Sequence, residues 1–297
     1  LAQLQEKGFL VYEKMDIYQR TAANLGQDWL KRGWKQLLEV FQQPLFDIKG
    51  VDDFVSKLYR LGFFLLFFPL VQIFFLVMTI TGMTAFFLLL FQGSYTLLQP
   101  SLGSFPAGLL FLYISQFFAI LLHELAHALT CKHFGREVRR AGLMLDWGRP
   151  VLFVDTTDIW MEPRRPRLLV SLAGSYTNLI LAGVAGLVAF LSSQTVSSVA
   201  FQFAFINLLL ALLNLNPLLR LDGYYLLMDW LERPMLRARA LDFIRQGLWK
   251  KIFQRQSLDR DDTIYAVFGL LSLFSTIFVA GTSLLALGLK LRTLFIE

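Results

Sequence analysis

The sequence predicts an all-α polytopic membrane protein with about five transmembrane helices and a small cytoplasmic connector that resembles a β-hairpin. Of its 297 residues, 56% are hydrophobic and only 17% are charged. Residues 61–123, 168–219 and 263–289 contain no Asp, Glu, Lys or Arg. A helix that crosses a bilayer needs about 20 apolar residues, so these blocks have room for roughly five spans. The composition excludes a soluble globule and a disordered chain, and the lack of polar–apolar alternation excludes an outer-membrane barrel.

The positive charges predict which side of the membrane each loop faces. Lys and Arg number 9 in residues 1–60, 8 in 131–167 and 9 in 220–262, whereas 92–104 and 192–197 contain none. The positive-inside rule therefore predicts a multi-pass protein of the cell (inner) membrane with a cytoplasmic N-terminus. No basic motif with interleaved aromatic residues indicates a nucleic-acid partner, so the +6 net charge reflects the loops. The lipid bilayer is the expected partner, and the pattern favours no particular oligomeric state.

Three segments are predicted along the chain. Residues 1–60 form an amphipathic cytoplasmic lead-in, residues 61–231 a membrane-embedded core, and residues 232–297 a basic cytoplasmic segment followed by the final span. The predicted spans lie within 61–91 and at about 107–131, 168–191, 199–219 and 264–289. Between the second and third spans, residues 132–167 hold two short apolar stretches separated by Gly148-Arg-Pro150, which predicts two strands around a turn.

The chemistry-bearing residues begin with the three histidines, which lie at His123, His127 and His133. His123, Glu124 and His127 form the motif H-E-x-x-H on an uninterrupted apolar helix. Residues four apart sit about 40° apart around a helix and roughly 6 Å along it, so both imidazoles can reach one cation. Zinc favours such nitrogen ligands, and Glu124 would accept the proton of a water that attacks a carbonyl. Each ionisable residue inside a span costs about 2.5–3.5 kcal/mol, which favours a functional site over packing.

Two histidines leave a metal short of a protein ligand, and two residues are candidates for the third. His133 has the spacing of the longer motif H-E-x-x-H-x-x-G-x-x-H. The sequence lacks the Gly of that motif, and on a continuous helix His133 would point about 240° away from His127. Asp222 is favoured, because Pro217 disturbs the fourth span before it and Gly223 permits a close approach of the chain. The alternative for Asp222 is the cap of a short helix.

A third polar element lies in the third span. Gly174 and Asn178 are four residues apart and share one face of that helix. A small-residue helix contact, with Asn178 hydrogen-bonding across it, is the structural interpretation. The functional interpretation is a side-chain donor for a substrate carbonyl or oxyanion.

The three elements together resemble the site-2 protease family of intramembrane zinc metalloproteases. They are H-E-x-x-H, then G-x-x-x-N at 174–178, then N-x-x-P-x-x-x-L-D-G at 214–223, and the resemblance covers roughly residues 105–225. Within the family, the segments 153–160 and 221–225 are similar to the bacterial group called "putative peptide zinc metalloproteases".

The resemblance implies roles for individual residues. His123, His127 and Asp222 would hold Zn²⁺, and Glu124 would be the general base. Asn178, with Gly174 on the same face, would position the substrate carbonyl, and residues 61–231 would be the intramembrane metalloprotease core. Ser175 and the pair 219–220 depart from the family pattern, which frequently has proline at these places; neither departure changes a ligand or the base.

The predicted function is hydrolysis of peptide bonds in membrane-embedded or membrane-bound peptide substrates, near the cytoplasmic face. The strands expected in residues 143–160 would hold an unwound substrate segment by strand addition. Three alternatives remain. The first is a di-iron desaturase or hydroxylase, for which three histidines are too few, and the second is a membrane protease with Glu as third metal ligand. The third is a non-proteolytic zinc-binding accessory protein for peptide export or modification. Glu124 argues against the last, since binding zinc requires no base.

Overall fold

A computed structural model describes residues 44–93, 95, 105–146 and 149–296. The elements in order are β1 (Pro44–Lys49), α1 (Val51–Arg60), a 3₁₀ turn (Phe63–Phe67), α2 (Pro69–Phe91), α3 (Phe105–His133), β2 (Arg140–Asp146), β3 (Arg149–Val154), a 3₁₀ turn (Thr157–Met161), α4 (Arg164–Leu191), α5 (Gln194–Asn214), α6 (Asp222–Trp230), α7 (Leu236–Asp242), a π-helical stretch (Phe243–Leu248), α8 (Trp249–Phe253) and α9 (Arg260–Ile296). The described residues divide into two compact units, the first made of residues 44–47, 142–146 and 149–151, and the second of residues 48–93, 95, 105–141 and 152–296.

The first unit contains most of a small antiparallel sheet in the order β1-β2-β3. The connector of two strands predicted from the sequence is confirmed as β2 and β3. A Cβ at Gly142 would lie 2.0 Å from the carbonyl oxygen of Phe46, so β1 and β2 approach closely where glycine leaves room. The strand β1 was not predicted. Residues 1–43 of the amphipathic lead-in predicted for residues 1–60 lie outside the described residues.

The second unit contains the helices, and four of them are long and apolar enough to cross a membrane. These are Pro69–Phe91, Pro106–His133, Arg164–Leu191 and Thr195–Asn214. They confirm the first four predicted spans, so the protein is a helical membrane protein. Pro69 stands at the start of α2, where its missing N–H costs nothing. The predicted fifth span falls within α9 and stays a prediction.

The helix α4 lies at the centre of this unit, in contact with α2, α3, α5 and α6. Glycines set its distance from α2. A Cβ at Gly82 would lie 1.8 Å from the carbonyl oxygen of Gly183, and one at Gly186 would lie 2.4 Å from that of Gly82. Small residues let helix backbones approach closely inside a bilayer, where no hydrophobic force drives helices together. The crossing fixes which face of α4 is turned toward the polar residues of α3.

Candidate metal centre

Three potential ligand atoms converge where α3 meets the start of α6. The Nε2 atoms of His123 and His127 lie 3.2 Å apart, as one face of a continuous helix allows. Oδ2 of Asp222 lies 3.2 Å from the first nitrogen and 3.4 Å from the second. Both histidines are buried, with exposed fractions of 6% and 8%. Among the described residues, these three form the group of His, Cys, Asp and Glu side chains able to hold a metal ion.

The spacing of the three atoms fits zinc. Zinc ligands at about 2.0–2.2 Å and tetrahedral angles lie about 3.3–3.6 Å from one another. The observed edges of 3.2, 3.2 and 3.4 Å match one face of such a tetrahedron. A pair of nitrogens with one carboxylate oxygen is also the donor set of catalytic zinc sites, which leave the fourth position open.

The local sequence explains how Asp222 reaches α3. The helix α5 ends at Asn214, three residues before Pro217, and Oδ1 of Asn216 accepts a hydrogen bond from the backbone N–H of Leu218 at 2.9 Å. A Cβ at Gly223 would lie 2.2 Å from the carbonyl oxygen of Leu215, so the chain doubles back on itself where glycine permits. Asp222 is the first residue of α6, and the N-cap position before it is occupied by Leu221. The capping interpretation is therefore not observed.

The helix α4 donates no ligand but contacts all three. Nδ1 of His127 lies 2.6 Å from the carbonyl oxygen of Val170, so the imidazole donates its N–H there and turns Nε2 toward the cluster. A Cβ at Gly174 would lie 2.3 Å from Nε2 of His127 and 2.4 Å from Nε2 of His123. The hydroxyl of Ser175 lies 3.3 Å from Oδ2 of Asp222. The sequence interpretation of α4 missed the contacts of Val170 and Ser175.

Glu124 lies beside this cluster, and Asn178 lies four residues along α4 from Gly174. The carboxylate of Glu124 accepts a hydrogen bond from the backbone of Val154, the last residue of β3, and lies within electrostatic range of all three ligand candidates. Asn178 is 2% exposed, and its Oδ1 has no hydrogen-bond partner in the part of the chain that the structure describes. An amide with an unpaired oxygen at such burial is costly, which suits a group that binds water or substrate.

His133 does not join the cluster. The helix α3 continues without a break to His133, which is the condition under which the side chain was predicted to point about 240° away from His127. The ring of His133 stacks on that of Phe67, with ring centroids 4.1 Å apart. Its Nδ1 lies 2.9 Å from the hydroxyl of Tyr59. The alternative of His133 as third ligand therefore has no support in the geometry.

Comparison with curated proteins finds relatives whose names describe zinc metalloproteases. The chain is 33% identical over 115 residues to "Putative peptide zinc metalloprotease protein YydH" of Bacillus subtilis, which is 38% of this chain and 44% of that protein. It is 32% identical over 165 residues to "Putative zinc metalloprotease Rip3" of Mycobacterium tuberculosis, which is 52% of this chain and 39% of that protein. It is 30% identical over 171 residues to "Putative zinc metalloprotease YwhC" of Bacillus subtilis, which is 46% of this chain and 75% of that protein.

The chain thus spans less than half the length of the first two of these relatives. No family model matches the chain. No solved structure matches it.

Proposed function

The chain belongs to the site-2 protease-like family of zinc metalloproteases, and on that premise we propose that it hydrolyses peptide bonds of membrane-embedded or membrane-bound substrates, inside the membrane near the cytoplasmic face. The observation that carries the proposal is the triangle of two imidazole nitrogens and one carboxylate oxygen, with edges of 3.2–3.4 Å, beside the carboxylate of Glu124. The multi-pass arrangement in the cell membrane and the cytoplasmic N-terminus are part of the proposal.

His123, His127 and Asp222 would hold the zinc ion. When bound, zinc supplies the Lewis acidity that makes a water molecule nucleophilic near neutral pH. Glu124 accepts the proton of that water and later donates it to the leaving amine. The hydrogen bond from Val154 holds one side of this carboxylate in place.

Asn178 would position the substrate carbonyl. Its side chain is buried four residues along α4 from Gly174, whose missing Cβ makes room for both imidazoles. The amide nitrogen of Asn178 can donate to the carbonyl oxygen as negative charge develops there. A donor fixed in a buried site requires no reorganisation during the reaction.

The sheet offers a way to hold the substrate. A helical substrate must unwind before its carbonyl can be attacked, and each freed backbone group inside a membrane costs several kcal/mol unless it is paired. β3 lies at one edge of the sheet, and its last residue contacts Glu124. A substrate segment that pairs with residues 152–154 of β3, which belong to the same compact unit as Glu124, would satisfy its backbone groups and arrive next to the base.

Photo-crosslinking tests this docking mode. Crosslinkers at single positions within 143–160 are expected to capture a single-span peptide in proteoliposomes. Labelling confined to residues 1–60 would contradict strand addition but would not contradict the proposed hydrolytic activity.

Replacing the base tests the hydrolytic activity itself. Glu124→Gln is expected to retain about one zinc ion per chain, because the three ligands remain. Its cleavage of a panel of fluorophore-labelled single-span peptides in proteoliposomes should fall about 10²–10⁴-fold, the usual contribution of a general base. Glu137→Gln is the matched control, because Glu137 is exposed outside the site. Unchanged cleavage in Glu124→Gln would overturn the proposal, and loss of cleavage together with zinc would assign Glu124 to metal binding.

A further inference from the structure

Ser175 is a buried hydroxyl beside the third ligand. The residue has no exposed surface, and its Oγ lies 3.3 Å from Oδ2 of Asp222. The same Oδ2 is the atom that faces both imidazoles, at 3.2 and 3.4 Å. The hydroxyl thus contacts the ligand atom itself, and not the second oxygen of the carboxylate.

The direction of this hydrogen bond follows from chemistry. An ionised carboxylate only accepts, so the hydroxyl of Ser175 donates to Asp222. A hydroxyl in a closed site must find a partner, and no other hydrogen bond of this hydroxyl occurs among the described residues. Among the described residues, the partners of the Asp222 carboxylate are Ser175 and the two histidines, so Ser175 is its one hydrogen-bond donor besides the imidazoles. The two side chains therefore depend on each other.

The contact with Ser175 matters because the Asp222 carboxylate could otherwise rotate away from its ligating orientation. Asp222 begins a nine-residue helix after an irregular connection, so its backbone is less constrained than that of the two histidines on α3. Partners that contact metal ligands from outside fix ligand orientation, and losing one typically lowers metal affinity about 10–100-fold. His127 has such a partner in the carbonyl of Val170, and Ser175 is the corresponding partner of Asp222.

We propose that Ser175 is a positioning residue of the metal centre, whose hydroxyl holds the Asp222 carboxylate in its ligating orientation. The proposal rests on the proposed function, because it takes zinc as the ion. It assigns a specific task to a position where the family this chain resembles frequently has proline, a residue without a hydroxyl.

Zinc affinity of the purified full chain in detergent, measured by competition with a chromophoric chelator, tests the proposal. Ser175→Ala should weaken zinc binding about 10–100-fold. Ser175→Thr keeps the hydroxyl and should bind zinc more tightly than Ser175→Ala. Thr177→Ala is the matched control, because the Thr177 hydroxyl donates a hydrogen bond to the carbonyl of Ala173 in its own helix, at 3.0 Å. The zinc affinity of Thr177→Ala should equal that of the wild type.

Thermal unfolding of the zinc-free variants separates positioning from general packing. The proposal expects the zinc-free Ser175→Ala protein to unfold at the wild-type temperature while its zinc affinity falls. Wild-type affinity in Ser175→Ala, or an equal loss in Thr177→Ala, would overturn it. Because the readout is zinc affinity, it is independent of cleavage: a chain that binds zinc through Ser175 and cleaves nothing would refute the protease and leave this inference standing.

Discussion

Two groups of polar side chains are each built around residues of the same helix, α3, and their chemistry differs. The ligand cluster consists of His123, His127 and Asp222. The anchor cluster, at the end of α3, consists of Asp52, Tyr59, Lys132 and His133. In the ligand cluster, three atoms that bind cations face one another at 3.2–3.4 Å. In the anchor cluster, every polar group meets its complement.

The anchor cluster is a set of closed pairs. Nζ of Lys132 lies 2.6 and 2.7 Å from the two carboxylate oxygens of Asp52, which also accepts a hydrogen bond from the backbone N–H of Val138 at 2.7 Å. Burial alone would raise the pKa of Asp52, but these bonds outweigh it and hold the pKa below its usual value. The hydroxyl of Tyr59 and Nδ1 of His133 form a hydrogen bond. These residues do not form a group of converging metal-ligand atoms among the described residues.

The difference shows that a histidine's role depends on what faces it from other helices. His127 and His133 are six residues apart on one helix. Val170 and Asp222 face the first, whereas Tyr59 and Phe67 face the second. Position within a motif indicates a candidate ligand, and the opposing helices decide whether it can bind.

The largest expected effect is the difference between replacing His127 with alanine and replacing His133 with alanine. His127→Ala should lose bound zinc and all cleavage, because two of the three ligands cannot hold the ion. His133→Ala should keep zinc and cleavage, since its partners are an aromatic ring and a hydroxyl. Metal content by mass spectrometry, together with peptide cleavage in proteoliposomes, measures both. If His133→Ala lost zinc as His127→Ala does, the distinction between the clusters would be wrong.

Gly174→Ala should have the next largest effect. Its Cβ would lie 2.3–2.5 Å from atoms of both imidazoles, closer than real Cβ contacts, so the ligands must shift. A displaced ligand set should lower zinc affinity at least about 10-fold, as outer-shell changes do. Gly281→Ala is the control, because a Cβ there meets nothing within 4 Å. Wild-type zinc affinity in Gly174→Ala would show that the imidazoles can adjust, and would leave substrate positioning as the role predicted for Gly174.

The same contrast explains how far the sequence could be interpreted. The two candidate histidine ligands follow from helical spacing alone, a local property, and Asp222 was favoured because of Pro217 and Gly223. Ser175 could not be assigned, because its contact depends on the rotation of α4 about its axis and on the glycine-mediated crossing with α2. The strand β1 was missed because its partner, β2, lies far along the chain and its own short segment carries no clear alternation.

The ion pair of the anchor cluster should affect stability without affecting zinc. Asp52→Asn is expected to destabilise the fold by about 1–3 kcal/mol, because a charged hydrogen-bond acceptor is lost, and to leave zinc affinity unchanged. The native pKa of Asp52 is lowered, so its contribution is complete above the pKa of the unfolded state and disappears as pH falls through the lower native value.

Thermal unfolding of Asp52→Asn across pH tests this. The gap in melting temperature between wild type and Asp52→Asn should be wide at pH 6, should narrow as pH falls below about 4, and should close only below the lowered native pKa of Asp52, where the wild-type carboxyl is also neutral. Asp53→Asn provides the control, because Asp53 is the exposed neighbour on the same helix. A gap that stays constant into acid would mean that the charge of Asp52 does not stabilise this end of α3.

The smallest expected effect is that of Tyr59→Phe, which removes one hydroxyl from the anchor cluster. The bond to His133 is exposed to solvent, so its loss should cost no more than about 1 kcal/mol of unfolding free energy. The ring of Phe67 still stacks on His133, and zinc affinity should equal that of the wild type because no ligand contacts Tyr59. The melting temperature and the chelator competition measure both quantities on one preparation. A fall in zinc affinity without a fall in stability would mean that the two clusters are coupled along α3, since a local packing change near His133 would then reach the imidazoles of His123 and His127 in the preceding turns.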